Sequence, residues 1–451
     1  MELDSQKKIG VPPEKMNLLK TVCFAAALLI TSTLAVTAQT CPGCLDPTFN
    51  AAGSPAGSLV VPTFGSGGTG QRDSVLQSDG KIVSLVDEKT TQITLVRANT
   101  DGTLDSGFGT GGVVKTNWHH STTAPYGFAY GLAIQTIEGQ QRLVVAGSWT
   151  VPQGRSNVTM LRVDRYMPDG TVDTSFGTNG TVLVNKPYAI AVAIQPQDQK
   201  IVTVGDLQAV VRLHPNGSVD TSFGQNGDGA TGAGQSGWSI IALPGTEGGI
   251  LVGGTYSTKG GDMMTVTKLK MSGAVDTAFG IGGRAIADFF GRGSFGRAFR
   301  MDIDLQGNIL AGGIARPKGA SIAQNRYAAA RFLPNGVPDT YFGGDGTVTY
   351  DFAGMDNDGR GINAQQDDGK VILSGSAQVV GTGRDFAAVR LNNNGTVDTS
   401  FGTNGRVVTD LGGTSEYSYS SHIWVDPGCG CQKLILAGGT NIGAIFLRYT
   451  L

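Results

Sequence analysis

The sequence predicts an all-β fold, a β-propeller of seven four-stranded antiparallel blades, and three observations carry that prediction. Val-Asp-Thr-Ser-Phe-Gly-Thr-Asn-Gly stands whole at 172–180 and 397–405, and looser copies give signatures at 45–49, 104–112, 172–180, 219–227, 275–283, 338–346 and 397–405. Their aspartates, Asp46, Asp105, Asp173, Asp220, Asp276, Asp339 and Asp398, are 59, 68, 47, 56, 63 and 59 residues apart. A period near 59 is too long for most helical solenoid units and fits a four-stranded blade with variable loops. Beyond the amino-terminal apolar segment, short apolar runs alternate with glycine-bearing turns and no helix-period stretch intervenes.

Taken in order, residues 1–38 read as an N-terminal extension and signal peptide. From Met16, Lys20 supplies a positive region, Val22 to Ile30 an apolar one, and Val36-Thr37-Ala38 a small-residue cleavage site. Thr31, Ser32 and Thr33 interrupt the apolar run, which is short for a bilayer span, so no integral membrane span is expected in the mature chain. Residues 39–451 are expected to form one repeat domain, since each unit can bury its apolar face only against its neighbours. The expected destination is outside the cytoplasm: periplasm, cell surface or beyond. A net charge of −2 with no cluster of Lys or Arg gives no electrostatic footprint for nucleic acid.

The stretch 361–411 shows how one blade is written. Gly361 to Gln366 reads as a first strand, Asp367-Asp368-Gly369 as a tight turn, and Lys370 to Ser374 as a buried second strand. A variable loop from Gly375 to Arg384, a third strand from Phe386 to Leu391, the turn Asn393-Asn394-Gly395 and a fourth strand from Arg406 to Leu411 complete it. The signature aspartates are read as turn residues that accept backbone N–H bonds. The phenylalanines three residues on, Phe49, Phe108, Phe176, Phe223, Phe279, Phe342 and Phe401, are read as plugs between blades.

The Leu/Val-Asp-x-x-Phe-Gly-x-x-Gly signature, as at Leu104 to Gly112 and Val397 to Gly405, resembles that of the delta-60 repeat family of bacterial β-propellers. The resemblance covers about residues 45 to 451, with Phe49-Asn50 replacing Phe-Gly in the first copy. It implies a propeller and an exported bacterial protein, and it brings no catalytic residues or agreed activity.

The termini complete one another in this reading. The strands His422 to Val425, Lys433 to Ala437 and Ala444 to Tyr449 lack a fourth, which Ser58 to Phe64 supplies from the other end. Cys41 and Cys44 enter one turn of this blade and Cys429 and Cys431 another on the same face, so one or two disulfides are expected to pin the ends together, with the pairing left open. Such a bridge would contribute up to about 5 kcal/mol by the chain-entropy model. The alternatives are thiol-redox chemistry at Cys41-Pro42-Gly43-Cys44, disfavoured by the lack of a redox-fold context, and a zinc site of all four thiolates, both disfavoured by export.

Function is less legible. The loops between second and third strands share a face with the links between blades, and variable loops on a rigid scaffold are where binding residues gather. That face is expected to carry Trp118, His119, His120, Trp149, Trp238, Arg292, Arg297, Asp356, Arg360 and Tyr417. Aromatic rings among polar groups suit a glycan or protein ligand, and each ring also suits loop packing. Arg292, Arg297 and Arg300 could gather an anion at a channel mouth, or be dispersed solvated charge. His119-His120 has no third histidine at ligand spacing, and neither Asp356-Asn357-Asp358-Gly359 nor Asp302-Ile303-Asp304 completes a calcium loop, so no metal or cofactor is expected. No nucleophile elbow, phosphate-binding loop or dinucleotide fingerprint occurs. The expectation is a monomeric binding module; a channel hydrolase or lyase and a passive scaffold are the alternatives.

Overall fold

The second and third strands of each repeat carry a buried run, as in Gln92–Ala98 and Ile201–Gly205, and such strands are stable only when covered on both faces. The computed structural model describes residues 41–451 except 63–69, 88–91, 119–126, 155, 187, 206–208, 225–227, 231–234, 246–247, 353–355, 413–414 and 441–442. The signal segment, His119 and His120 therefore lie outside the described residues. Among the described residues there are 28 strands and one 3-10 turn at Ile322–Gln324. No helix there is long and apolar enough to cross a membrane.

The strands form five four-stranded sheets and one of eight. The eight-stranded sheet is two antiparallel meanders, Gln235–Ala242 to Arg284–Ala287 and Phe295–Ile303 to Thr347–Tyr350, joined by the single parallel pair Asp262 and Phe295. Ser58–Pro62 pairs antiparallel with Gly443–Thr450, Ser58 opposite Leu447, and completes the sheet of Tyr417–Val425 and Gln432–Gly439. The apolar clusters lie between consecutive meanders. Val83, Leu85 and Leu95 meet Leu132, Leu143 and Val145, while Ile82, Val86 and Val96 meet Ile435, Ala437 and Phe446 of the terminal sheet.

The signature aspartates behave as turn residues and do more. Oδ1 of Asp398 accepts the Ser400 amide at 3.1 Å and the Ser400 hydroxyl at 2.7 Å, while Oδ2 pairs with Arg390 Nε at 2.8 Å. The same ion pair, eight residues apart, recurs at Arg97–Asp105, Arg165–Asp173, Arg212–Asp220, Lys268–Asp276 and Arg331–Asp339, and Arg448 supplies it to Asp46 across the termini. Each cation also covers the signature ring, Arg390 at 4.9 Å from the centroid of Phe401. Several reach the next repeat: Arg212 Nη1 donates to the Met271 carbonyl at 2.7 Å. Phe108 closes the gap between repeats by lying against Gly170, where a Cβ would come within 2.9 Å of the ring.

Two expectations need correction. Cys41 pairs with Cys44 and Cys429 with Cys431, so each disulfide is local and neither joins the two ends. Closing so short a loop removes little denatured-state entropy, about 2 kcal/mol rather than 5. The expected variable loop at 375–384 is mostly strand, with Val371–Val379 and Gly383–Leu391 pairing out to Val379 and Gly383. Polar residues such as Gln378 and Arg384, paired across this arm, hid it from an apolar count.

Candidate functional site

The first strand of every meander holds one residue more than its partner can pair. The ladder skips at Arg72, Tyr130, Ile190, Trp238, Phe299, Arg360 and Tyr419. A bulge leaves its extra residue outside the ladder and re-aims the side chain. All seven of these side chains line one cavity of about 120 Å³, joined by Arg300. The bulges sit near the strand starts, on the side of the interblade links.

The residues that follow the bulges are Asp73, Gly131, Ala191, Ser239, Arg300, Gly361 and Ser420. Only Asp73 and Arg300 are large, and they pair at 2.6 Å between the first strands of two different meanders. Burial raises the Asp73 carboxyl above its ordinary range, against the pull of Arg300 and of the Leu132 and Ser74 amides. Those amides donate to Oδ2 at 3.0 Å and Oδ1 at 2.9 Å, so both oxygens are engaged. Ser74 Oγ lies 2.6 Å from Ser420 Oγ and 2.7 Å from His422 Nε2. Burial, and then the Arg300 charge, lower His422 to about 4, against a hydrogen bond with Ser74 that raises it.

Stacking fixes the guanidiniums. Arg360 lies 4.0 Å over Phe299 and 5.7 Å over Tyr419, Arg72 5.5 Å over Tyr130, and Arg297 4.6 Å over Trp238. Arg360 Nε also donates to Asp358 Oδ1 at 2.8 Å. Burial and then the Arg360 charge hold Arg297 below its ordinary value; Asp262 and Asp358 oppose this and Arg316 adds to it.

Of the residues singled out from sequence, Trp238, Arg300 and Arg360 line the cavity and Arg297 stacks beside it. Trp118 is a correction: it is fully buried in the core, because Arg162 lies 4.5 Å over its ring and 4.7 Å over Trp149. Arg292 is exposed and does not line the cavity. Asp356 is ion-paired with Arg384, which lies 5.2 Å over Tyr417, and Tyr417 reaches the cavity only through Tyr419, at 6.0 Å between ring centroids. Asp304 caps its own turn by accepting the amides of Gln306 and Asn308.

Sequence reasoning missed Arg72, Tyr130, Ile190, Phe299 and Tyr419. A signal was present: a large residue between two small ones at one phase of the repeat, as in Ala129-Tyr130-Gly131, Gly237-Trp238-Ser239 and Ser418-Tyr419-Ser420. It also missed three carboxylates, Asp385, Asp410 and Glu416, whose oxygens lie within 4.8 Å of one another in a group able to hold a cation. Burial, and then the charge of Asp410, raise Asp385, while a hydrogen bond from Thr382 works the other way.

Residues 77–108, 142–176, 197–223 and 366–401 match the model of a family described as a β-propeller domain of unknown function (DUF5122). Among solved structures the chain is similar to the WD40 repeats of RRP9, at 9% identity and a TM-score of 0.51 over 91% of this chain and 99% of that one. It is also similar to the β-propeller domain of Myceliophteria thermophila Cps50 (Swd1), at 12% identity and a TM-score of 0.45 over 87% of this chain and 99% of that one. No curated protein matches the sequence. The family match and the first likeness support an all-β propeller fold, and at such identity the likeness concerns fold alone.

Proposed function

We propose that this β-propeller is an exported, monomeric binding module of seven blades, closed into a ring and holding a glycan or protein on the face where its first strands begin. Support for the ring comes from the pairing of Ser58–Pro62 with Gly443–Thr450 and from the apolar cluster between the terminal sheet and that of Gly70–Leu76. A further support is the bond from the Gly402 amide to the Pro42 carbonyl at 2.8 Å. It repeats the link by which Gly109, Gly177, Gly224, Gly280 and Gly343 each bond the next repeat's turn. Export is supported by the targeting pattern of residues 16–38.

The observation that carries the binding reading is the convergence of seven bulged side chains on one cavity. Seven separate departures from regular pairing that deliver four aromatic rings and two guanidiniums to one place are costly to keep unless they meet something. Among the described residues the lining holds no carboxylate, and Asp73, paired with the lining Arg300, has both oxygens engaged, which favours recognition over acid–base chemistry. Screening the mature protein against a glycan array and against exported proteins tests this. Any ligand found should lose at least about tenfold in affinity on Trp238→Ala or Tyr419→Ala, as expected for an aromatic anchor, with the melting temperature retained. A ligand indifferent to both changes would move the site elsewhere.

A further inference from the structure

The cavity's lining defines a chemical class of ligand, an inference that rests on the binding reading above. Arg72, Arg300 and Arg360 are far apart in sequence and come together at this one cavity, with Arg297 stacked on its Trp238 wall. Asp73 pairs with Arg300 and Asp358 with Arg360. Two further donors at the cavity, Trp238 Nε1 and Arg297 Nε, are buried and have no hydrogen-bond partner among the described residues. Guanidiniums held over the rings of Phe299, Tyr130 and Trp238 have less freedom left to lose on meeting an oxyanion, and burial strengthens charge-assisted hydrogen bonds. The depressed Arg297 fits the same picture, since burial and the neighbouring Arg360 outweigh the pull of Asp262 and Asp358 on its charge.

We propose that the cavity is an oxyanion receptor that takes one carboxylate or phosphate group at the end of a ligand. The size of the cavity sets the second half of this assignment. A volume of about 120 Å³ admits an acid group and part of one sugar ring. The ligand is therefore bound by its acidic terminus, and an acidic saccharide end and a phosphate group share this chemistry.

Titration of the mature protein with D-glucuronate, inorganic phosphate and D-glucose, followed by tryptophan fluorescence and melting temperature, tests the assignment. Glucuronate, phosphate or both should bind, more weakly as salt rises, and glucose should not. Binding of glucuronate alone assigns an acidic sugar and binding of phosphate alone a phosphate group. Arg72→Gln and Arg360→Gln should each weaken binding at least tenfold, Arg72→Lys should recover part of the loss, and Lys259→Gln, exposed at a hairpin tip, should change nothing. Should one glutamine variant fail to fold, the other still decides the matter. The proposal is overturned if neither anion binds, or if both glutamine variants bind as the parent does. A neutral glycan or a protein that binds while both anions fail would overturn the oxyanion receptor and leave the binding module standing.

Discussion

Asp398 and Arg390 show what a single repeated residue does. The aspartate closes its turn, binds the arginine at 2.8 Å and lets that cation cap Phe401, so one substitution disturbs three contacts. Asp398→Ala leaves a buried guanidinium without its partner. It should cost about 3–5 kcal/mol in urea denaturation, with no change in any ligand's affinity. Acid should act on the same contacts. Burial alone would raise Asp398, but hydrogen bonds from Ser400 and the charges of Arg390 and Lys370 hold it at about 2. A carboxyl depressed in the folded state stabilises above its unfolded value of about 3.9, and that contribution is lost as pH falls toward 2. His422 adds a second window. It stays neutral in the fold down to about pH 4, whereas the unfolded chain takes up its proton below about 6.5. Stability should therefore fall between pH 6.5 and 4, and His422→Gln should flatten that part of a melting-temperature profile. The aspartates were legible because their spacing repeats. Their cations, five arginines and Lys268 standing eight residues upstream, repeat nearly as faithfully and went unread because they sit inside strands that count as apolar.

Among elements, the turns and the buried second strands were plain in the sequence, while strand ends and bulges were not. A bulge is a property of two strands in register, and neither strand alone states which residue is left over. Arg360 lies inside Asn357–Ala364, a strand read as beginning at Gly361, so the very residue that reaches the cavity fell outside the expected element. Turn glycines offer a direct check on how elements meet. Gly170 has φ of 88°, and a Cβ there would lie 2.3 Å from Val114 Cγ2 and 2.9 Å from the Phe108 ring. Gly170→Ala should cost more than about 1 kcal/mol, since both the backbone and the contact between repeats resist it. Equal thermal stability of this variant and the parent would mean that the repeats are not held together at their turns.

For the molecule as a whole, repetition made the architecture readable long before any site. Arg72, Arg300 and Arg360 look like scattered charge in a chain of net charge −2, because only the folded arrangement of first strands brings them together. The cysteines misled for the opposite reason: proximity of the two turns suggested a bridge between them, whereas each pair is within its own turn. Reducing both disulfides should accordingly lower stability by no more than about 2 kcal/mol each, read from melting curves with and without reductant. Removing residues 41–62 should do far more. It strips Asp46 from Arg448 and Lys433 and opens the edge of Gly443–Thr450, so the shortened protein should associate as its concentration rises, seen by light scattering.

The pairing of Ser58–Pro62 with Gly443–Thr450 also has a meaning in time. Ser58–Pro62 is synthesised about 20–80 s before the strand it pairs with, at ordinary rates of synthesis. The intervening repeats can stack on one another as they emerge, yet that first strand must stay solvated and unaggregated throughout. A chain interrupted before Gly443–Thr450 leaves that strand single, with an unpaired edge of the kind that invites association.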